Sequence, residues 1–126
     1  MIINYSLSEK VKKINSGISP IEDIRSSEIL DLVGRGLLKA QSDYLAIKGA
    51  DVILICVPTP LKSNHEPDLS HLESAAKSIS KNVSNGSLLI LESTVAPGTT
   101  RDFLAPLIAN GSGIDIVDLD IVFSPE

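Results

Sequence analysis

A chain of 126 residues is long enough for one domain and for burying roughly two-thirds of the surface its unfolded form exposes. Apolar residues make up 43% and charged residues 21%, the balance of an ordinary soluble globular protein. The net charge of −5, with 3% aromatics and no tryptophan, excludes a phosphate-neutralising or base-stacking surface, and no stretch reaches the ~18 apolar residues of a membrane span.

The N-terminal residues carry no signal-peptide pattern. Met1–Tyr5 leans apolar and reads as the remnant of a strand. Ser6 or Ser8 then caps a helix to about Ser16, with Val11 and Ile14 on one face. Lys10, Lys12 and Lys13 are the only basic cluster, and with Glu9 beside them they read as a solvated helix face. Asn15-Ser16-Gly17 ends this helix. Ser19-Pro20-Ile21-Glu22 has the form of a capping box with proline at the first helical position, which predicts a second helix start. A short helix from about Ser27 carries Ile29, Leu30, Leu32 and Val33 as its apolar stripe and stops at Gly34 and Gly36. Leu37–Ser42 predicts a short strand, and Asp43 a cap for a short helix over Tyr44–Lys48.

Asp51–Pro60, DVILICVPTP, is the stretch around which the rest is organised. Val52–Val57 is a continuous apolar run, too short for a buried helix, and predicts a strand buried on both faces as in parallel sheets. Pro58 and Pro60 cannot donate to a ladder, so the chain leaves the sheet there and places Thr59 beyond the strand's carboxyl end. Ligands of open α/β sheets bind at that edge. Cys56, the single cysteine, falls mid-strand and reads as a buried inert thiol. It can form no disulfide within the chain, which fits a reducing cytoplasm.

Leu61–Pro67 reads as a polar, mobile loop. Asp68 caps a helix to about Val83 with Leu69, Leu72, Ala75, Ala76 and Ile79 on one side. Asn85-Gly86 turns the chain, and Leu88–Leu91 forms a second buried strand running into Glu92-Ser93-Thr94. Pro97-Gly98-Thr99-Thr100 opens another helix with Phe103, Leu104, Leu107 and Ile108 inward. Asn110–Gly113 reads as a flexible break, and Leu119–Phe123 as a last strand ending at Ser124-Pro125-Glu126. His65 and His71 have no cysteine or carboxylate at ligand spacing, so no metal site is expected. Strands alternating with helices at this spacing imply right-handed βαβ units and a parallel sheet with helices on its faces.

Five stretches together resemble a known family. Asn15-Ser16-Gly17 with Ser19–Glu22, then CVPTP (Cys56–Pro60), PDLS (Pro67–Ser70), ESTVAPGTT (Glu92–Thr100) and FSPE (Phe123–Glu126) are similar, in order and spacing, to the UDP-glucose/GDP-mannose dehydrogenase family. Their wording looks most like its UDP-N-acetylhexosamine 6-dehydrogenase branch. The resemblance covers nearly the whole chain but only about the first third of a family member.

The resemblance implies a Rossmann-like, doubly wound parallel sheet, with residues 1–126 forming a single partial NAD-binding domain. It implies oxidation of the C6 hydroxyl of a UDP-sugar to a carboxylate in two NAD-dependent steps, in a full-length protein that can form a homo-oligomer. Val57, Pro58 and Thr59 would line the adenosine side of the NAD cleft. Ser93 and Thr94 would approach the nicotinamide end, Thr94 also placing a catalytic water, and Glu126 would match the glutamate at the substrate entrance.

The sequence also departs from the family pattern. It lacks the first strand and the GxGxxG turn whose amides hold the pyrophosphate, and Gly34 and Gly36 are not followed by a third glycine. The family's ribose-binding aspartate is matched by Ser6, which cannot make a carboxylate's paired charge-assisted bonds. Cys56 is not the family's nucleophile. The expectation is therefore a piece of a dehydrogenase with no turnover of its own. The alternative, from another class, is a non-catalytic α/β remnant that no longer binds NAD and serves as an interaction module.

Overall fold

The computed structural model describes residues 8–124. The strand expected at Met1–Tyr5, and the positions of Ser6 and Glu126, lie outside the described residues. The chain divides into two compact units, residues 1–43 and 44–126.

The first unit holds helices α1 (Ser8–Asn15) and α2 (Ser26–Gly34). Both end in a paired backbone closure. Gly17 N–H donates to Ile14 and Ile18 N–H to Lys13, and Gly36 and Leu37 repeat the pattern on Val33 and Leu32. Gly17 is required at its turn twice over. Its φ is 74°, and an added β-carbon would lie 2.5 Å from Leu30 Cδ1.

Two expectations fail in this unit. Ser19–Glu22 starts no helix: Ser19 Oγ accepts the Ile21 N–H at 3.2 Å and also donates to the Ile21 carbonyl at 2.8 Å, a carbonyl that a helix would turn toward its own later N–H groups. Those short-range bonds make a turn, and the helix begins at Ser26 instead. Leu37–Ser42 forms no strand. Ala40 instead finds its partner in a side chain: Asn15 Nδ2 donates to the Ala40 carbonyl and Asn15 Oδ1 accepts the Ala40 N–H, both at 2.9 Å. One amide side chain thus does locally what a neighbouring strand would do.

The second unit opens with a 3₁₀ turn at Tyr44–Ile47 and then alternates strand and helix. Its strands are β1 (Val52–Ile55), β2 (Leu88–Leu91) and β3 (Ile121–Phe123). They are parallel in the order β1-β2-β3, with Ile53 beside Leu89 and Leu89 beside Ile121. Helix α3 (Ser70–Ser80) joins the first pair and α4 (Ala105–Ser112) the second. A sheet that grows in one direction through right-handed crossovers carries both helices on one face. Ile53, Ile55, Leu89 and Leu91 point to that face and are buried together with Leu72, Ala76, Leu104 and Ile108. Each such side chain contributes about 1.5–3 kcal/mol.

The strands are less completely buried on their other side chains than expected. Val52, one residue out of phase with Ile53, is 40% exposed, and Leu54, Leu88 and Ile90 are half-buried. The first strand is also shorter than its apolar run, ending at Ile55.

Further on, the 61–67 loop is a tight hairpin rather than a slack one. Leu61 pairs with Pro67, Lys62 N–H donates to the Glu66 carbonyl at 2.8 Å, and Asp68 N–H donates to Pro60 at 2.7 Å. The helix expected at Pro97 begins as a wide π-helical turn, Thr99–Leu104, where Ala105 N–H reaches back to the Thr100 carbonyl. The break expected at Asn110–Gly113 is helical through Ser112. Gly111 lets α4 approach α3 there: a β-carbon on it would collide with Ser80 Oγ and lie 2.6 Å from Ser80 Cβ.

Candidate functional site

Parallel pairing brings the carboxyl ends of β1 and β2 side by side, and the residues just past them form the candidate site. Register fixes which residue faces which. Leu54 pairs with Ile90 and Ile55 with Leu91, so two residues on, Cys56 falls beside Glu92 on one face and Val57 beside Ser93 on the other. The last backbone rung is Glu92 N–H donating to the Ile55 carbonyl at 3.0 Å.

Beyond that rung, side chains take over. Ser93 Oγ accepts the Val57 N–H at 2.9 Å and donates to the Val57 carbonyl at 2.7 Å. Thr59 Oγ1 then donates to the Thr94 carbonyl at 2.7 Å. The two loops are therefore held together by hydroxyls where Pro58 and Pro60 have removed backbone donors. Ser93 is buried at 6% exposure, Val57 and Thr59 are half-buried, and Pro58 and Thr94 are exposed at the rim. The third strand ends at the same edge, with Ser124 N–H donating to the Leu91 carbonyl at 3.0 Å.

Of the residues expected from sequence, Val57, Pro58, Thr59, Ser93 and Thr94 are thus brought to one place, and Glu126 lies outside the described residues. Cys56 requires a correction. It is exposed rather than buried mid-strand, because β1 ends before it, at Ile55. Its Sγ donates to Glu92 Oε2 at 3.3 Å. That neighbour is an anion, the opposite of the cationic surroundings in which cysteine nucleophiles are found. Among the described residues, no cluster of three or more His, Cys, Asp or Glu could hold a metal ion, and no helix is long and apolar enough to cross a membrane.

Titration is perturbed at the loop and helix starts around this edge. Asp68, ahead of α3, accepts the Ser70 N–H at 3.0 Å. That bond, then the Ser70 hydroxyl, holds its carboxyl below the usual carboxylate range. Asp102, in the π-helical turn, is lowered by its hydrogen bonds from Arg101, and the Arg101 guanidinium is raised in return.

Sequence reasoning did not find the Ser93–Val57 clasp or the Cys56–Glu92 contact. The signal was available in the two-residue period of the strands. Once Ile55 is set beside Leu91, both pairs follow, but that register comes from the fold.

Residues 3–126 match the model of the UDP-glucose/GDP-mannose dehydrogenase family, NAD binding domain. The chain belongs to that family. It is 40% identical, over 99% of its length, to a UDP-N-acetyl-D-mannosamine dehydrogenase of Pyrococcus horikoshii, of which it covers 30%. A crystal structure of GDP-mannose dehydrogenase from Pseudomonas aeruginosa, in a ternary complex, superposes with a TM-score of 0.87 at 33% identity, over 98% of this chain and 30% of that one. The UDP-D-ManNAc dehydrogenase structure from Pyrococcus horikoshii gives 0.85 at 39% identity, over 94% and 28%. The family member thus has the Rossmann-like fold expected from its motifs, and spans about 30% of the length of the relatives it matches.

Proposed function

We propose that this chain is the dinucleotide-binding part of an NAD-dependent nucleotide-sugar 6-dehydrogenase, acting in the whole protein on a UDP-N-acetylhexosamine or UDP-glucose. The observation that carries the reading is the pairing of the β1 and β2 loops at the sheet's carboxyl edge, in a chain matching the NAD-binding domain of that family. Both compact units belong to one domain on this reading, supported by a match that runs from residue 3 to 126.

The groups gathered at that edge suit the uncharged parts of a dinucleotide. Thr94 brings an exposed side chain, Thr59 a half-buried hydroxyl, and the Val57–Pro58 segment an apolar wall for a ring. They fit the ribose and nicotinamide portions, whereas for the pyrophosphate the sequence has no GxGxxG turn. The cofactor, when bound, supplies a hydride acceptor for oxidation at C6 of the sugar. Val57, Pro58 and Thr59 would hold its adenosine side and Thr94 its nicotinamide side, with the buried Ser93 approaching that end through Thr94 and Val57. By the same resemblance, Thr94 would in addition place a water for the second oxidation, and Glu126 would match the glutamate at the substrate entrance. The 126-residue chain itself is expected to have no turnover, having no GxGxxG turn and, in Cys56 beside Glu92, no cysteine in the cationic surroundings of a nucleophile. A cytoplasmic setting, a role in polysaccharide biosynthesis and a homo-oligomeric whole protein belong to the same reading. The single cysteine fits the first, and resemblance alone suggests the other two.

Calorimetric titration with NAD, run beside a thermal melt, tests the proposal. Without a pyrophosphate turn the expected affinity is weak, on the order of 1 mM or about −4 kcal/mol. A cooperative melt with no NAD binding at all would favour a folded remnant that has lost its cofactor. Oxidation of a UDP-sugar by the purified chain would refute the absence of turnover.

A further inference from the structure

We propose that Ser93 is a positioning residue which ends the β1–β2 ladder by proxy and thereby leaves the Thr94 peptide N–H for the dinucleotide. The inference rests on the reading of the edge as a dinucleotide site.

A continuing parallel ladder has a fixed pattern. After Glu92 N–H donates to the Ile55 carbonyl, the next rungs would run from Val57 N–H to the Glu92 carbonyl and from Thr94 N–H to the Val57 carbonyl. In this structure both polar groups of Val57 go instead to one hydroxyl, that of Ser93. The side chain does the work of its two flanking peptides, and neither the Glu92 carbonyl nor the Thr94 N–H is spent on Val57. Thr59 fixes the other side of the Thr94 residue by donating to its carbonyl. Thr94 is exposed, so its N–H lies at the strand end where ligands of such sheets bind. Ser93 is buried with its donor and one acceptor site engaged, so it acts through Val57 and Thr94. An alanine in its place would let the ladder close two rungs further, the second of which consumes the Thr94 N–H.

The test uses the ¹⁵N-labelled chain, titrated with NAD by NMR, with amide exchange measured at Val57 and Thr94. Wild type is expected to show an NAD-dependent shift of the Thr94 amide. Ser93→Ala is expected to weaken that NAD response about tenfold and to slow Thr94 exchange as its N–H is captured by Val57, with Leu89 and Leu91 unchanged. Ser93→Thr, which keeps the hydroxyl, restores both. Should Ser93→Ala fail to fold, Ser93→Cys takes its place, keeping the volume with only a weak donor. An unchanged NAD response in the alanine variant overturns the proposal, as does a Thr94 amide whose exchange is not slowed. A wild-type chain with no NAD response overturns the dinucleotide reading itself, and is told apart because it appears before any substitution is made.

Discussion

Thr59 and Thr94 meet across the ends of two adjacent parallel strands, the hydroxyl of the first donating to the carbonyl of the second at 2.7 Å. The bond spans loops 35 residues apart in sequence, so it reports the docking of one loop on the other. Thr59→Val keeps the shape and removes the donor. It is expected to lower stability by about 0.5–1.5 kcal/mol, at the low end because the site is partly wet. Thr59→Ser keeps the donor and restores most of it. Urea denaturation of the three chains decides; a loss in the serine variant with none in the valine variant would mean that the methyl packing, not the hydrogen bond, matters.

Asn15 and Ala40 provide a second long-range tie, within the first unit. Both polar groups of the side-chain amide are used, on Ala40, a residue that is 9% exposed. Asn15→Ala leaves two poorly solvated backbone groups without partners and is expected to cost about 1–3 kcal/mol. Asn15→Asp keeps an acceptor for the Ala40 N–H but loses the donor to its carbonyl, and falls between. Amide exchange at Ala40 follows the first bond directly, and an unprotected Ala40 amide in the wild-type chain would refute this account.

These ties explain which parts of the molecule were legible in the sequence. The apolar runs 52–55 and 88–91 could be read as strands because composition and flanking turns are local signals, and the spacing of Leu72, Ala75, Ala76 and Ile79 gave a helix in the same way. Asn15 could be read only as a helix terminator, because its partner Ala40 is 25 residues away. Ser19 was misread because a hydroxyl that caps a helix and one that closes a two-residue turn look alike in sequence. The exposure of Cys56 was not legible because an apolar run does not say where within it the strand ends. The candidate site was reached through Thr59 and Thr94 at strand ends, while Ser93's part in it depends on strand register.

Gly111 sets two known effects against each other. Replacing a helical glycine by alanine normally gains up to about 1 kcal/mol of helix propensity. Here the new β-carbon would meet Ser80 on α3, and overpacking of that kind costs about 1–3 kcal/mol. The net expectation for Gly111→Ala is destabilisation. Adding Ser80→Gly removes both colliding atoms and should recover part of the loss, which a double-mutant cycle by urea denaturation measures. Simple additivity of the two substitutions would show that α3 and α4 are not in close contact at this point.

Asp68 gives stability a dependence on acid. Its carboxylate accepts the Ser70 N–H ahead of α3 and lies where the positive end of the helix dipole favours an anion. The folded-state value is below the ordinary carboxylate value of about 3.9, chiefly through that N–H and then the Ser70 hydroxyl. A carboxyl lowered by folding adds stability that is present in full above its unfolded value and is lost as pH falls through the folded one. The advantage of wild type over Asp68→Asn should therefore persist from neutrality to about pH 4.5, and shrink steadily below about pH 3.9. The residue is only half-buried, so the difference should also be smaller in high salt. Thermal melts of both chains across this range provide the check. A gap that stays constant down to the lowest pH would mean that the asparagine differs in packing or turn geometry rather than in charge.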